Sequence, residues 1–128
     1  MAQRVFVTGG TGFVGKSVVR ALLAQGFLVR LLVRPGSEHD LKGFESIDRV
    51  PGDVMRPDGL AASVEGCSAL VNLVGIIEEQ RRRGVTFVRV HVEATRNMVR
   101  PMTIAASGCR RRPRGCAAAP SASSATCR

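Results

Sequence analysis

The sequence predicts an α/β fold: a Rossmann-like doubly wound parallel sheet, N-terminal part only, with a disordered C-terminal tail. Three observations predict it. Short β-branched, apolar runs alternate with helical segments in the order β-α-β-α-β-α-β up to Val74, an order that requires parallel strands and right-handed crossovers. A glycine cluster, Thr8-Gly9-Gly10-Thr11-Gly12-Phe13-Val14-Gly15, separates the first run from the first helix. After Arg100 the composition changes in kind.

Residues 4–8, Arg-Val-Phe-Val-Thr, read as a buried strand. From Phe13 to Gln25 the apolar spacing becomes three and four, which places Val14, Val18, Ala21 and Leu22 on one face. Gly26 stands where a helix end favours a left-handed residue. Residues 27–33 are almost continuously apolar, as in a strand covered on both sides. Arg34-Pro35-Gly36 turns the chain. A weak helix is expected over 37–44 and a third strand over 47–50, ending at Pro51-Gly52-Asp53. Another helix is expected from Pro57 to about Val64, closed by Gly66, and a fourth strand over 69–74. Residues 85–92 fit a strand, because Thr86, Val88, Val90 and Val92 alternate with polar or aromatic residues. They fit a helix equally well, because Phe87, His91, Ala94, Thr95 and Met98 form a stripe. Residues 93–100 are good helix sequence.

The 128 residues are expected to form one incomplete domain over 1–100 and a tail over 101–128. The apolar fraction of 45% is ordinary for a globular protein. No apolar run approaches the ~20 residues that span a bilayer. The first residues do not lead into a signal-peptide core, because Thr8-Gly9-Gly10 interrupts the apolar run. A cytoplasmic protein is expected, with peripheral membrane or complex association left open. Residues 1–100 carry twelve Arg and two Lys against ten acids, whereas residues 101–128 carry five Arg and no acid. A basic tail of this kind is a solvated end or a contact for nucleic acid or anionic membrane. No specific nucleic acid is expected as a partner. Cys67, Cys109, Cys116 and Cys127 lack zinc-site spacing and are expected to be reduced thiols.

The glycine cluster carries the chemistry. It follows a strand and opens a helix, the context a dinucleotide-binding turn requires. Gly9 permits the tight exit from the strand, Gly12 lets backbone approach a pyrophosphate, and Gly15 lets helix and sheet pack closely. The free N–H groups and dipole of the helix start favour the anion. A glycine-rich turn without a ligand is the plainer alternative. Sites of this kind that prefer NAD place an acid at the tip of the second strand; here the strand ends Leu31-Leu32-Val33-Arg34. Arg34 suits a 2′-phosphate, so NADP(H) is favoured over NAD(H), although Arg34 also reads as a solvated loop residue. Asp53 can accept from the adenine amino group with Val54 over the ring, or simply form a turn. Asn72 and Gly75 stand where the dinucleotide would run toward its nicotinamide; Asn72 also reads as a buried, backbone-bonded side chain. The expected cofactor-binding set is Gly9, Thr11, Gly12, Phe13, Val14, Gly15, Arg34, Asp53, Val54, Asn72 and Gly75, with no catalytic or metal-binding residue assigned.

The segments VFVTGGTGFVG over 5–15, Gly52-Asp53-Val54, LVNLVG over 70–75 and FVRVHVEATRN over 87–97 resemble the extended and atypical short-chain dehydrogenase/reductases, which include the NAD-dependent epimerase/dehydratase type. They are most similar to the NAD(P)-binding proteins related to the nucleotide-binding accessory subunit of respiratory complex I. The resemblance covers roughly residues 3–100. It implies that 87–97 is a helix, that His91, Thr95 and Asn97 lie on a helix flanking the cofactor site, and that Gly9, Gly12, Gly15, Arg34, Asp53 and Val54 line it.

The family's reductases use a Tyr general acid with a Lys four residues on, a pairing that brings the proton donor toward working pH. This sequence contains no Tyr, and its only Lys are Lys16 and Lys42. Residues 101–128 hold seven Ala, four Ser, five Arg and three Pro, but no Val, Leu or Phe. Such a segment buries too little apolar area to offset its ordering entropy. Seventeen Arg against two Lys points to GC-rich codons, and the tail is expected to be a frameshifted or truncated product from about Pro101 or Met102. The expected function is an NAD(P)-binding domain of a short-chain-reductase-like protein, inactive alone. A non-catalytic accessory subunit of a respiratory NADH dehydrogenase-type complex is the alternative. A third reading, a basic module acting through Arg81-Arg82-Arg83 and the arginines at 110–114, is set against a solvated loop.

Overall fold

The computed structural model describes residues 2–108. Four strands, β1 (Arg4–Thr8), β2 (Leu28–Val33), β3 (Asp48–Pro51) and β4 (Ala69–Asn72), form one sheet in the order β3-β2-β1-β4. Every pairing is parallel, with Val7 beside Leu31 on one side and Val71 on the other. The order in which strands are added therefore reverses at β1, β2 and β3 lying to one side and β4 to the other, and a crevice at such a reversal is where open α/β sheets bind ligands.

Helix α1 (Phe13–Ala24) covers one face of the sheet. Val5, Val7, Val29, Leu31 and Val33 pack there against Val19, with Leu41, Phe44 and Ile47 closing the far side. On the other face Phe6 and Leu32 meet Leu60 and Val64 of α2 (Leu60–Val64) and Ala94 and Met98 of α3 (Ala94–Gly108). Strand β1 is thus covered on both faces, and Phe6 and Val7 are fully buried. Gly26, at φ +81°, ends α1 in a Schellman motif. Its N–H reaches the Leu23 carbonyl, and the Phe27 N–H reaches the Leu22 carbonyl.

Several elements differ from the sequence expectation. The inward face of α1 is Gly15 and Val19 with Leu22 and Leu23 beside them, whereas Val14 and Ala21 are exposed. Gly15 sets this rotation, because it seats the helix directly on the loop after β1. The weak helix expected over 37–44 is one 3₁₀ turn, Glu38–Leu41. Leu41, Phe44 and Ile47 are all buried, so the segment follows its apolar anchors instead of a helical ladder. Helix α2 starts later than Pro57, because the Leu60 N–H is bonded to the Pro57 carbonyl in a turn. Strand β4 stops at Asn72, whose side-chain oxygen captures the Val74 N–H at 3.3 Å.

The open choice at 85–92 resolves as helical, as the family resemblance implies. Val88–Glu93 winds as a wide π-helical segment that runs into α3. Val90, Ala94 and Met98 are buried at spacings of four, while Val88 and Val92 are exposed. The expected domain edge after Arg100 is not a helix end: α3 continues through Pro101 to Gly108. Met102 packs against the Phe6 cluster, which gives that turn an apolar anchor. Cys109, Cys116, Cys127 and the arginines at 110–114 lie outside the described residues.

Candidate dinucleotide site

A cleft of about 390 Å³ opens at the C-terminal ends of the four strands. That volume falls within the ~300–1,000 Å³ of ordinary ligand pockets. Of the residues expected from sequence, it gathers Gly9, Thr11, Gly12, Arg34, Asp53, Val54 and Gly75. Phe13 and Val14 have exposed side chains that do not line it; only their backbone belongs to the first turn of α1. Gly15 lies beneath the loop. Asn72 stands behind the cleft wall as a hydrogen-bonding hub.

The glycines divide into two kinds. Gly9 takes φ +73°, and a Cβ there would meet the Leu73 carbonyl carbon at 2.6 Å. A Cβ on Gly15 would fall on the Gly9 carbonyl oxygen and lie 2.6 Å from the Gly10 Cα. The chain's own packing therefore demands both. Gly12 differs. Its Cβ would touch only the Gly9 carbonyl oxygen, at 3.3 Å, and its φ of −73° suits any residue. Gly12 is also the N-cap of α1, and it supplies no side-chain cap; no acid stands in the first turn. The N–H groups of that turn have no intrahelical partner, and the helix dipole adds positive potential. Among the described residues, this helix start at the cleft has been left with nothing anionic.

The walls are held by side-chain amides. The buried Thr8 hydroxyl donates to Asn72 Oδ1 at 2.6 Å, and Asn72 Nδ2 donates to Thr95 Oγ1 at 3.1 Å. Asn97 Nδ2 donates to the Val54 carbonyl at 3.0 Å. Asp53 shapes its own loop: Oδ1 accepts the Met55 N–H at 2.8 Å and its carbonyl accepts the Arg56 N–H at 2.9 Å. The turn-forming reading of Asp53 is thus present in the structure, on a residue that also faces the cleft. The Arg34 side chain is exposed, and among the described residues no acid pairs with it.

At the other end Gly75 packs against His91; a Cβ would meet the ring at 3.1 Å. The His91 ring stacks on Phe87 with centroids 5.9 Å apart. Its Nε2 lies 3.3 Å from the Ile76 carbonyl. The segment between is pinned where Gln80 and Val85 pair in antiparallel fashion, and it presents Arg81, Arg82 and Arg83 to solvent. Glu79 accepts the Phe87 N–H and the Arg81 side chain, each at 2.9 Å. These bonds, the backbone one foremost, hold its carboxyl below the usual carboxylate range. Burial pushes the Cys67 thiol up, against the pull of Arg30 and Arg4.

The cleft also uses Thr8, Leu32, Gly52, Met55, Leu73, Val74, Ile76, Val85 and Val90, which sequence reasoning did not select. Most adjoin a strand end that it did select, so extending each end by one residue would have found them. Val85 and Val90 arrive from the segment leading into α3, and no local pattern signals their place.

The family model described as NAD dependent epimerase/dehydratase family matches residues 5–114. The chain is 40% identical over 99 residues to a Synechocystis sp. protein whose name refers to dihydroflavonol 4-reductase, covering 77% of this chain and 29% of that one. It is 36% identical over 105 residues to a 3-beta-hydroxysteroid dehydrogenase of Mycolicibacterium neoaurum, covering 75% and 27%. The chain thus spans under a third of the length of these relatives. Among solved structures, it superposes with a TM-score of 0.65 on a short-chain dehydrogenase/reductase superfamily protein from Agrobacterium tumefaciens with bound NAD. The identity is 29%, over 80% of this chain and 30% of that one. The reductase and dehydrogenase names of these relatives lend no weight to an accessory-subunit role. No helix among the described residues is long and apolar enough to cross a membrane.

Proposed function

The chain belongs to the NAD dependent epimerase/dehydratase family, and we propose that its cleft takes NADP(H) in preference to NAD(H) and that the chain alone binds the dinucleotide without turnover. The coarser statement, an NAD(P)-binding domain of the epimerase/reductase type, follows from the family itself. The observation that carries the reading is the start of α1. Gly12 is bare although a Cβ there would make one tight contact, 3.3 Å from the Gly9 carbonyl oxygen, instead of the collisions met at Gly9 and Gly15, and the first turn has no capping side chain and no acid. A Ser, Thr, Asp or Asn cap would stabilise that helix over Gly by only about a few tenths of a kcal/mol; the side-chain cap's absence suits a pyrophosphate that takes the same N–H groups.

On this reading the first-turn N–H groups of Phe13, Val14 and Gly15, reached past the bare Gly12 beside Gly9 and Thr11, hold the pyrophosphate, and Arg34, with which no acid pairs among the described residues, offers a planar fork to a 2′-phosphate. Asp53 and Val54 border the adenine, and Gly75 with Ile76 borders the nicotinamide. The bound group supplies a hydride carrier. The chain contributes binding and orientation. With no Tyr in its 128 residues, it offers no phenol to move a proton onto a carbonyl. Titration of the chain with NADPH and NADH, followed by calorimetry, tests the proposal. Tighter binding of NADPH is expected, with no cofactor oxidation in the presence of carbonyl compounds. Binding of neither dinucleotide, or measurable turnover, overturns it.

A further inference from the structure

Helix α3 touches both ends of the cleft through side-chain amide bonds only two residues apart. Thr95 Oγ1 accepts from Asn72 at 3.1 Å, behind the end of β4. Asn97 Nδ2 donates to the Val54 carbonyl at 3.0 Å, in the loop after β3. On either side of these two ties Ala94 and Met98 are fully buried, so the helix cannot roll without exposing them. Pro101 stands four residues beyond Asn97 and has no N–H to give the Asn97 carbonyl. The backbone near Asn97 therefore lacks one helical bond, and the side-chain bond to Val54 helps fix its position.

The loop it holds is small, with the Val54 side chain buried in the Phe6 cluster and the Gly52 N–H bonded to the Val33 carbonyl; among the described residues, Asn97 adds the side-chain hydrogen bond that ties its backbone to α3. Val54 sits inside the Asp53 turn, flanked by the Met55 and Arg56 N–H groups that Asp53 accepts. The Val54–Met55 peptide is thus held at its N–H by Asp53 from within the turn and at its carbonyl by Asn97 from α3. From this geometry we infer that Asn97 is a positioning residue for the adenine-side wall: its amide sets the Val54 peptide, and through it the cleft face of Asp53 and Val54. This rests on the dinucleotide reading above and goes beyond it, because it assigns the adenine side to a helix residue that does not line the cleft. Thr95 serves the opposite wall, so the two ties act on different halves of one ligand.

The test uses the full ¹⁵N-labelled chain and two fragments, 2′,5′-ADP for the adenine half and nicotinamide mononucleotide for the other, titrated by NMR. Asn97→Ala removes the donor. A lost hydrogen bond of ordinary strength corresponds to about 3- to 10-fold weaker binding of 2′,5′-ADP, with nicotinamide mononucleotide unchanged and faster amide exchange at Met55 and Arg56. Asn97→Gln keeps the donor on a longer arm and is expected to fall between wild type and Asn97→Ala; if Asn97→Ala fails to fold, Asn97→Gln decides. Thr95→Val loosens the same helix at its other tie and is expected to spare 2′,5′-ADP. Unchanged 2′,5′-ADP binding, equal loss of both fragments, or the same loss in Thr95→Val overturns the inference while leaving the dinucleotide site intact. Wild-type chain that binds neither fragment nor NADPH overturns the dinucleotide reading and this inference with it.

Discussion

The Thr8 hydroxyl, fully buried at the end of β1, donates a 2.6 Å hydrogen bond to Asn72 Oδ1 at the end of β4. The two residues are also register partners in the sheet. The same Asn72 oxygen turns the chain by accepting the Val74 N–H, and its nitrogen reaches Thr95. One amide thus joins two strands, the loop below the cleft and α3.

Replacing Asn72 by Ala should strand a buried hydroxyl and cost about 1–3 kcal/mol. Thr8→Val in the Asn72→Ala background should recover part of that loss, because the stranded donor is gone. Urea unfolding of the four members of this cycle measures the coupling. Additive single effects would show that the pair does not interact.

Gly15→Ala and Gly12→Ala should separate folding from binding. The new Cβ at position 15 collides with backbone that cannot yield, and overpacking of this kind costs about 1–3 kcal/mol or more. At position 12 the φ is ordinary and the nearest atom lies at 3.3 Å. That variant should keep its stability within about 1 kcal/mol, since Ala also restricts the unfolded chain, yet lose dinucleotide affinity. Thermal unfolding beside NADPH titration reads both. Full affinity in Gly12→Ala would remove the main support for a pyrophosphate at that turn.

Arg34→Glu should invert the preference between cofactors. A carboxylate at the tip of β2 repels a 2′-phosphate and can accept from a 2′-hydroxyl. NADPH should weaken by about tenfold or more, on the scale of a charge-assisted hydrogen bond, while NADH holds or tightens. An unchanged NADPH to NADH ratio would make Arg34 a solvated loop residue.

Glu79 should titrate below the usual carboxylate range, because its charged form accepts the Phe87 N–H and the Arg81 guanidinium. A depressed folded-state value stabilises the fold above the unfolded value and loses that contribution as pH falls through the folded one. Acidification below pH ~4 should therefore loosen the entry to the helical segment at Phe87. Amide exchange at Phe87, followed against pH in wild type and Glu79→Gln, is the measurement. Gln keeps an acceptor without the charge, so its Phe87 exchange should show no step where Glu79 titrates.

The parallel sheet, the glycine turn after β1 and the helix behind it were legible in the sequence because each depends on local chemistry. β-branched runs buried on both faces, a glycine that must take φ +73° and a glycine-closed helix end leave marks within a few residues. The tertiary structure alone decided which face of α1 turns inward, since Gly15 stacks on Gly9 and exposes the Val14 that periodicity placed in the core. It also decided that Asn72 stands behind the cleft and Asn97 beneath the Val54 loop, each bonded to a partner 23 residues or more away. A hydrogen bond at that separation has no periodic trace: the residue type records that a polar group is needed, and only packing of helix on sheet chooses its partner.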